Sequence, residues 1–497
     1  LTGAAGNDTF SIGDSGSLSG TIDGGADTDT LTGRTIVDAF TITGSNSGTV
    51  NGITFSAVEN LTGAAGNDTF SIGDSGSLSG TIDGGDDLDP LDYSAETGTV
   101  AVSLADNSAT SIKGAEADGF SNIEALQGNG SGNTTLTGIN TGPGTIENEY
   151  FVVGTANATA TVFGVSDLTL NALGGEDTLY GTPDADAFAI TGSEAGTVNT
   201  TTDDVSFSDV EILNGGEGSD TFAIASTGNL NVAIDGGEDA GSDDIDTVDY
   251  SARTGTIAVT LSNTFGTSSA ETGIDGFSNI EALQGNGSGD TTLTGSSSDE
   301  GFVLGTTNAS LADSKFGISD LTLDAGDGTD TLTGTPTADI FEINGANTGT
   351  VAANDVDFSA VENLDGGEGS DTFAIGDSGR LSGTIDGGDD TDTLDYSAET
   401  GAVAVNLSAG SATSIAGFSN IEDLVGNGAN TTLTGTASAD TFSITASNTG
   451  TVASVGLPAT FSFSDVANLA GGAGNDTFAI GDSGSLSGTI NGGDDID

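Results

Sequence analysis

Residues 61–85 read LTGAAGNDTFSIGDSGSLSGTIDGG, and the same stretch stands unchanged at residues 1–25. Near-copies start at Leu364 and Leu469, and a degenerate copy starts at Leu213. Corresponding glycine turns lie 21 residues apart: Gly63 and Gly84, Gly215 and Gly236, Gly366 and Gly387, Gly471 and Gly492. Between the turns run short segments such as DTFSI and LSGTI, in which apolar and small polar residues alternate. Period-two alternation with β-branched and aromatic residues marks a strand with one buried face. Such a strand cannot bury that face alone. Copies at a fixed step must stack, each strand hydrogen-bonded to its equivalent about 4.8 Å above. The pairing is then parallel and the crossovers right-handed. The spacing therefore predicts an all-β chain, a parallel β-solenoid of the right-handed β-helix kind with about 20 residues per coil, and one continuous repeat array over residues 1–497.

Two further blocks recur. DYSAETGTVAVSL from Asp92 returns in varied form from Asp249 and Asp395, and FGVSDLTLNALGG from Phe163 returns from Phe316. Stacking predicts an inward column through Phe10, Phe40, Phe70, Phe188, Phe222, Phe302, Phe341, Phe373, Phe442 and Phe478. A second column would run through Phe55, Phe120, Phe207, Phe277, Phe358, Phe418 and Phe463, in segments such as FSAVENL, FSDVEIL and FSNIEAL. The sequence begins inside one module copy and stops at GGDDID inside another, which predicts a longer array or subunits stacked end to end.

The charge is extreme. Lysine and arginine number 5 against 75 acids, a formal net charge of −70. Attraction to nucleic acid or an anionic membrane is excluded on that ground, and divalent cations are the expected partners. No stretch approaches the roughly 18 apolar residues of a membrane span, and the opening LTGAAGNDTF has neither a basic start nor an apolar signal core. With no cysteine there are no disulfides and no thiolate metal sites.

The turns themselves carry the candidate chemistry. GGAGNDTFA from Gly471 fits the pattern G-G-x-G-x-D-x-U-x, where U is a large apolar residue, as does GGEGSDTFA from Gly215 and from Gly366. GAAGNDTFS from Gly3 and from Gly63 changes one glycine. Glycines allow positive φ, which tightens the loop and gathers carbonyl oxygens on one side, and the aspartate adds the anionic oxygen that a hard cation favours. Asp8, Asp68, Asp220, Asp330, Asp371 and Asp476 occupy the acidic position. The loop with Asp68 should lie against Asp86, Asp87 and Asp89, that with Asp220 against Asp243, Asp244 and Asp246, and that with Asp371 against Asp389, Asp390 and Asp392. Asp27 and Asp29 follow Asp8 in the same way, and Asp494 and Asp495 follow Asp476. Like charges one strand apart repel by roughly 1 kcal/mol per pair in water and by more where solvent is excluded. A column of Ca2+ ions would remove that repulsion.

These nonapeptides resemble the repeat-in-toxin, or haemolysin-type calcium-binding, family of large bacterial surface proteins. The resemblance implies calcium between stacked turns, export by a type I route, and folding on meeting calcium outside the cell. Tandem nonapeptides occur only in pairs here, and Thr134, Thr291 and Thr431 stand where the ligand aspartate should be. A solenoid wider than a simple β-roll, with ions at some turns, is the expectation. Gly-Asn-Asp and Gly-Ser-Asp also form good turns without metal, and that reading stays open.

Catalysis is disfavoured by the residues at hand. The chain has no histidine or cysteine, its basic residues are scattered, and Tyr93, Tyr250 and Tyr396 hold the same place in copies of one block, which reads as packing. The remaining classes are a structural rod (extracellular fibre, surface layer or adhesin stalk, with copies of itself as partners) and a binding module for a glycan, mineral or ice surface.

Overall fold

The computed structural model describes residues 1–130, 133–139, 148–159, 161–200, 203–226, 233–237, 244–262, 267–271, 276–287, 290–310, 315–455, 457 and 460–497. Strands dominate, and the helical segments among these residues are three-residue 3-10 turns such as Lys113–Ala115. No described helix is long and apolar enough to cross a membrane. The chain divides into two units, Leu1–Asp246 with Gly273–Ser278, and Thr247–Thr272 with Asn279–Asp497.

In the first unit Asn60–Ala65 pairs in parallel with Ile82–Asp86, Leu61 against Ile82, and Thr69–Ile72 pairs in parallel with Pro90–Asp92, Phe70 against Leu91. Both registers are the 21-residue step of the glycine turns. Thr2–Ala5 takes the same step onto Thr21–Ala26. In the second unit it recurs between Asn363–Asp365 and Thr384–Asp386, and between Thr372–Ile375 and Thr393–Asp395. Long parallel sheets result, and equivalent residues of successive copies fall into rows across the strands.

Other steps are longer, so 20 residues per coil describes the module but not what lies between modules. Phe40 meets Phe70 at a step of 30, and Ile82 meets Phe120 at a step of 38. One source of the extra length is an antiparallel meander, Ala39–Gly44, Ser47–Val50 and Ile53–Ser56. It returns in the first unit as Ala187–Gly192, Ala195–Asn199 and Asp204–Ser208. The second unit holds Ile340–Gly345, Thr348–Val351 and Val356–Ser359, and then Asp440–Ala446, Thr449–Ser454 and Phe461–Ala470. Its hairpin turn places Asn46, Glu194, Asn347 and Asn448 at positive φ, a region asparagine tolerates better than most residues. A bare backbone is needed in the middle strand: a methyl built on Gly349 would collide with Glu342 O and come within 2.5 Å of Phe358 Cζ.

The core follows the alternation. Phe40, Ile42, Val50 and Phe55 are fully buried, while Ala39 and Thr41 of the same strands face out. The phenylalanines stack in pairs rather than in one unbroken column. Phe40 lies on Phe70 with ring centroids 4.8 Å apart, and Phe341 on Phe373 at 5.0 Å. The following strand then continues with Leu91 or Leu394, because it comes from the block that reads PLD or TLD. The second row is interleaved likewise, Phe120 against Ile82 and Phe418 against Ile385.

Candidate functional site

Asp8, Asp68, Asp220, Asp371 and Asp476 fold their carboxylates back over the first glycine of their own loops. One carboxylate oxygen accepts a backbone N–H from the acidic residue before the preceding parallel strand. Asp68 Oδ1 takes the N–H of Asp38 at 2.6 Å, Asp89 Oδ1 takes that of Asp68 at 2.7 Å, and Glu124 Oε2 takes that of Asp89 at 3.0 Å. The second unit repeats the run as Asp339, Asp371, Asp392 and Glu422, at 2.6, 2.7 and 3.1 Å. Shorter runs are Asp8, Asp29, Glu59; Glu149, Asp177, Glu211; Asp186, Asp220, Asp246; Glu300, Asp330, Glu362; and Asp440, Asp476, Asp497. The acids thus act first as acceptors that tie each turn to the next one along the parallel sheet.

The other oxygen is the unusual one. Oδ2 of Asp8, Asp29, Asp68, Asp89, Asp177, Asp330, Asp371, Asp392 and Asp476 is buried and has no hydrogen-bond partner. A methyl built on Gly63 would collide with both Asp68 Oδ2 and Gly84 O. Gly366 stands in the same relation to Asp371 Oδ2 and Gly387 O, and Gly471 to Asp476 Oδ2 and Gly492 O. A carboxylate oxygen and the glycine carbonyl of the next parallel-paired turn therefore converge over a bare Cα. Burial pushes Asp68 and Asp371 up to about 7 against the pull of their backbone hydrogen bonds, with neighbouring aspartates adding to the rise. It pushes Asp89, Asp330 and Asp392 up to about 6 and raises Asp177 and Asp476 as well.

Buried oxygens facing one another are stabilised by a proton or by a cation between them. The donors are carboxylate and carbonyl oxygens, the set a hard divalent ion such as Ca2+ prefers. Among the described residues no three acidic side chains converge as a ready-made cluster. Each acidic turn offers one inward carboxylate, and the neighbouring donors are backbone carbonyls, of Gly84 and Gly387 beside Asp68 and Asp371 and of Asn122 and Asn420 beside Asp89 and Asp392.

The loops expected to face each other do so: Asp68 meets Asp89, Asp220 meets Asp246, and Asp371 meets Asp392. Within each loop, however, the acids part. Asp27, Asp87, Asp390 and Asp495 sit exposed at the turn tips with positive φ. Oδ2 of Asp27, Asp87 and Asp495 accepts the N–H of Gly6, Gly66 and Gly474 at 3.0, 3.0 and 3.2 Å. Asp86, Asp389 and Asp494 are exposed and Asp244 is half-exposed, while Asp243 lies outside the described residues. Only one acid per loop, Asp29, Asp89 or Asp392, then, points inward beside a backbone carbonyl.

Thr134, Thr291 and Thr431 are buried where the aspartate would be. Thr431 Oγ1 accepts the N–H of Asn427 at 2.8 Å and donates to Asn427 Oδ1 at 2.7 Å, so a hydroxyl is satisfied within its own loop. On the following coil, one position before the pairs Thr135–Thr169, Thr292–Thr322 and Thr432–Asn468, stand Leu168, Leu321 and Ala467 rather than an acid. The glutamates that close several runs, Glu59, Glu124, Glu211, Glu362 and Glu422, were not among the expected site residues. Each stands four places after the core phenylalanine of its FSAVENL-type segment, and Ala467 takes that place after Phe463. That constant offset was the available signal.

Compared with known proteins, the chain matches no protein-family model, and no curated protein matches it either.

Proposed function

We propose that the chain is an extracellular structural repeat protein, a right-handed parallel β-solenoid that serves as a rod in a bacterial fibre, surface layer or adhesin stalk and is stabilised by calcium at its glycine turns. The observation that carries this reading is the row of buried Oδ2 atoms lacking a hydrogen-bond partner, set against a glycine carbonyl at Asp8, Asp68, Asp371 and Asp476 and against Ala57 O, Asn122 O and Asn420 O at Asp29, Asp89 and Asp392. Asp68, Asp89, Asp330, Asp371, Asp392 and Asp476 would hold the ions together with carbonyls such as Gly84 O and Gly387 O. Bound calcium supplies the positive charge these carboxylates lack. Because the unfolded chain has no such site, binding free energy becomes folding free energy. The extracellular assignment rests on the resemblance of the turns to haemolysin-type repeats, and on an acidic chain that resists collapse until divalent ions are abundant.

Circular dichroism of the purified chain during titration with calcium, and then with a chelator, tests the proposal. Strand signal should rise with calcium and fall with chelator. Strand content indifferent to both would overturn the calcium part. Electron microscopy in calcium tests the rod, with fibres expected and rounded isolated particles counting against it.

A further inference from the structure

Three of the five tyrosines, Tyr93, Tyr250 and Tyr396, are fully buried at one place of the DYSA block. Tyr93 Oη donates to Thr110 O and Tyr396 Oη to Thr413 O, both at 2.5 Å. The other two lie on adjacent strands of the first unit, Tyr150 45 % exposed and Tyr180 half-exposed. Tyr150–Val153 pairs in parallel with Thr178–Tyr180, which pairs with Ile212–Gly216. The register sets Val152, Tyr180 and Asn214 in one row across three strands. That row lines an open cleft of about 510 Å³, together with Asn157, Thr182 and Glu217. A second hollow of about 280 Å³ shares Thr159 and Val162 with the first and takes Tyr150 into its wall.

The second copy of this block serves as an internal comparison. There the same register runs Val303, Thr333, Asp365, with Thr333 in place of Tyr180 and Asp365 in place of Asn214. Gly301 stands for Tyr150 and Lys315 for Val162, and Lys315 Nζ lies 4.0 Å from Asp365 Oδ2. The strands therefore pair without either aromatic ring, and an ion pair occupies the corresponding surface. The tyrosines of the first copy are not demanded by the fold.

We propose that the cleft binds a neutral oligosaccharide, one pyranose ring stacking on Tyr180 and the chain continuing toward Tyr150. A pyranose has an apolar C–H face and a rim of hydroxyls. Aromatic rings match the face, and a few fixed amide, hydroxyl and carboxylate groups match the rim. The amides are held in place: Asn157 Nδ2 donates to Val153 O at 2.7 Å, and Asn214 Nδ2 donates to Asp235 Oδ2 at 3.2 Å. Glu217 in the cleft wall, Asp235 hydrogen-bonded to Asn214, and the −70 charge of the chain repel uronates and sulfated sugars. The inference does not depend on calcium at the turns.

The test is calorimetric titration of the full chain, kept in calcium, with cellotriose, maltotriose and the trimer of N-acetylglucosamine, and with trigalacturonate as the anionic probe. At least one neutral trimer should bind saturably and trigalacturonate should not. Tyr180→Ala should weaken that binding about tenfold, Tyr150→Ala by less, and Tyr180→Phe should retain it. Lys315→Ala in the second copy should change nothing. The proposal is overturned if no neutral trimer binds, if trigalacturonate binds more tightly, or if Tyr180→Ala binds as the parent does. Tyr180→Phe guards against a folding artefact, since it keeps the ring and its packing. Loss of binding in that variant, with an unchanged circular dichroism spectrum, would also sink the stacking role.

Discussion

Asp371 Oδ1 accepts the N–H of Asp339, while its Oδ2 is buried with no hydrogen-bond partner, so the two oxygens of one side chain have opposite consequences. Asp371→Asn keeps the first acceptor and removes the buried charge. Burial lifts Asp371 from 3.8 to about 7, so in chelator at pH 8 the variant should gain on the order of 2–4 kcal/mol in urea unfolding, and its response to calcium should shrink. Equal stability of variant and parent would show that this carboxylate is not a liability. Gly63→Ala makes the complementary point, since its methyl collides with Asp68 Oδ2 and with the backbone at Gly84 O. A loss of about 1–3 kcal/mol or more is expected. The pH dependence has a definite sign. Asp68 and Asp371 are raised to about 7, and Asp89, Asp330 and Asp392 to about 6, so between about pH 4 and pH 7 the folded chain holds protons that the unfolded chain has released. The stability tied to these groups is fully present below the unfolded value near 3.8 and is lost as pH rises through 6 to 7. Metal-free protein should melt at a higher temperature at pH 5 than at pH 8, and calcium should narrow the gap.

At the scale of elements, the 21-residue glycine step makes the parallel registers legible in the sequence, because Leu61 against Ile82 and Leu364 against Ile385 repeat it directly. The meander was not read. Its segment GSNSGTV also alternates with period two, so nothing in the polarity pattern separates an antiparallel return from another parallel strand; only Asn46 and its equivalents at positive φ mark the hairpin. The closing glutamates were missed for a related reason. An acid just ahead of a half-buried strand reads as a solvated position, and its role depends on which turn precedes it: Glu422 follows Asp392, whereas Ala467 follows Thr431. That pairing predicts the result of converting one kind of turn into the other. Thr431→Asp would place a carboxylate beside Ala467 and against Asn427 Oδ1, the oxygen to which the Thr431 hydroxyl now donates. In chelator it should cost about 1–3 kcal/mol by thermal or urea unfolding. An unchanged midpoint would mean that acid and threonine turns are interchangeable and that the ordered runs carry no energetic meaning.

For the molecule as a whole, two repulsions act at once and salt tells them apart. The 75 acids give a surface field that any electrolyte screens, with a Debye length falling from about 30 Å at 0.01 M to about 3 Å at 1 M. The inward carboxylates are a different population: Asp29, Asp68, Asp89, Asp330 and Asp392 are 0 % exposed, and ions outside the coil screen them little. Sodium chloride should therefore stabilise the chelated protein modestly and without saturation at a defined stoichiometry. Calcium at the same ionic strength should add a saturable increment, release protons near neutral pH because the raised aspartates must ionise to bind it, and lose that increment in proportion as inward aspartates are replaced by asparagine. Magnesium should do less, since it dehydrates reluctantly and demands a regular octahedron that one carboxylate and a few backbone carbonyls per turn do not present. Differential scanning calorimetry in matched sodium, magnesium and calcium chloride, with proton release followed in weak buffer, separates the cases. If sodium chloride reproduces the whole effect of calcium, the inward acids are structural acceptors alone and the turns hold no ions.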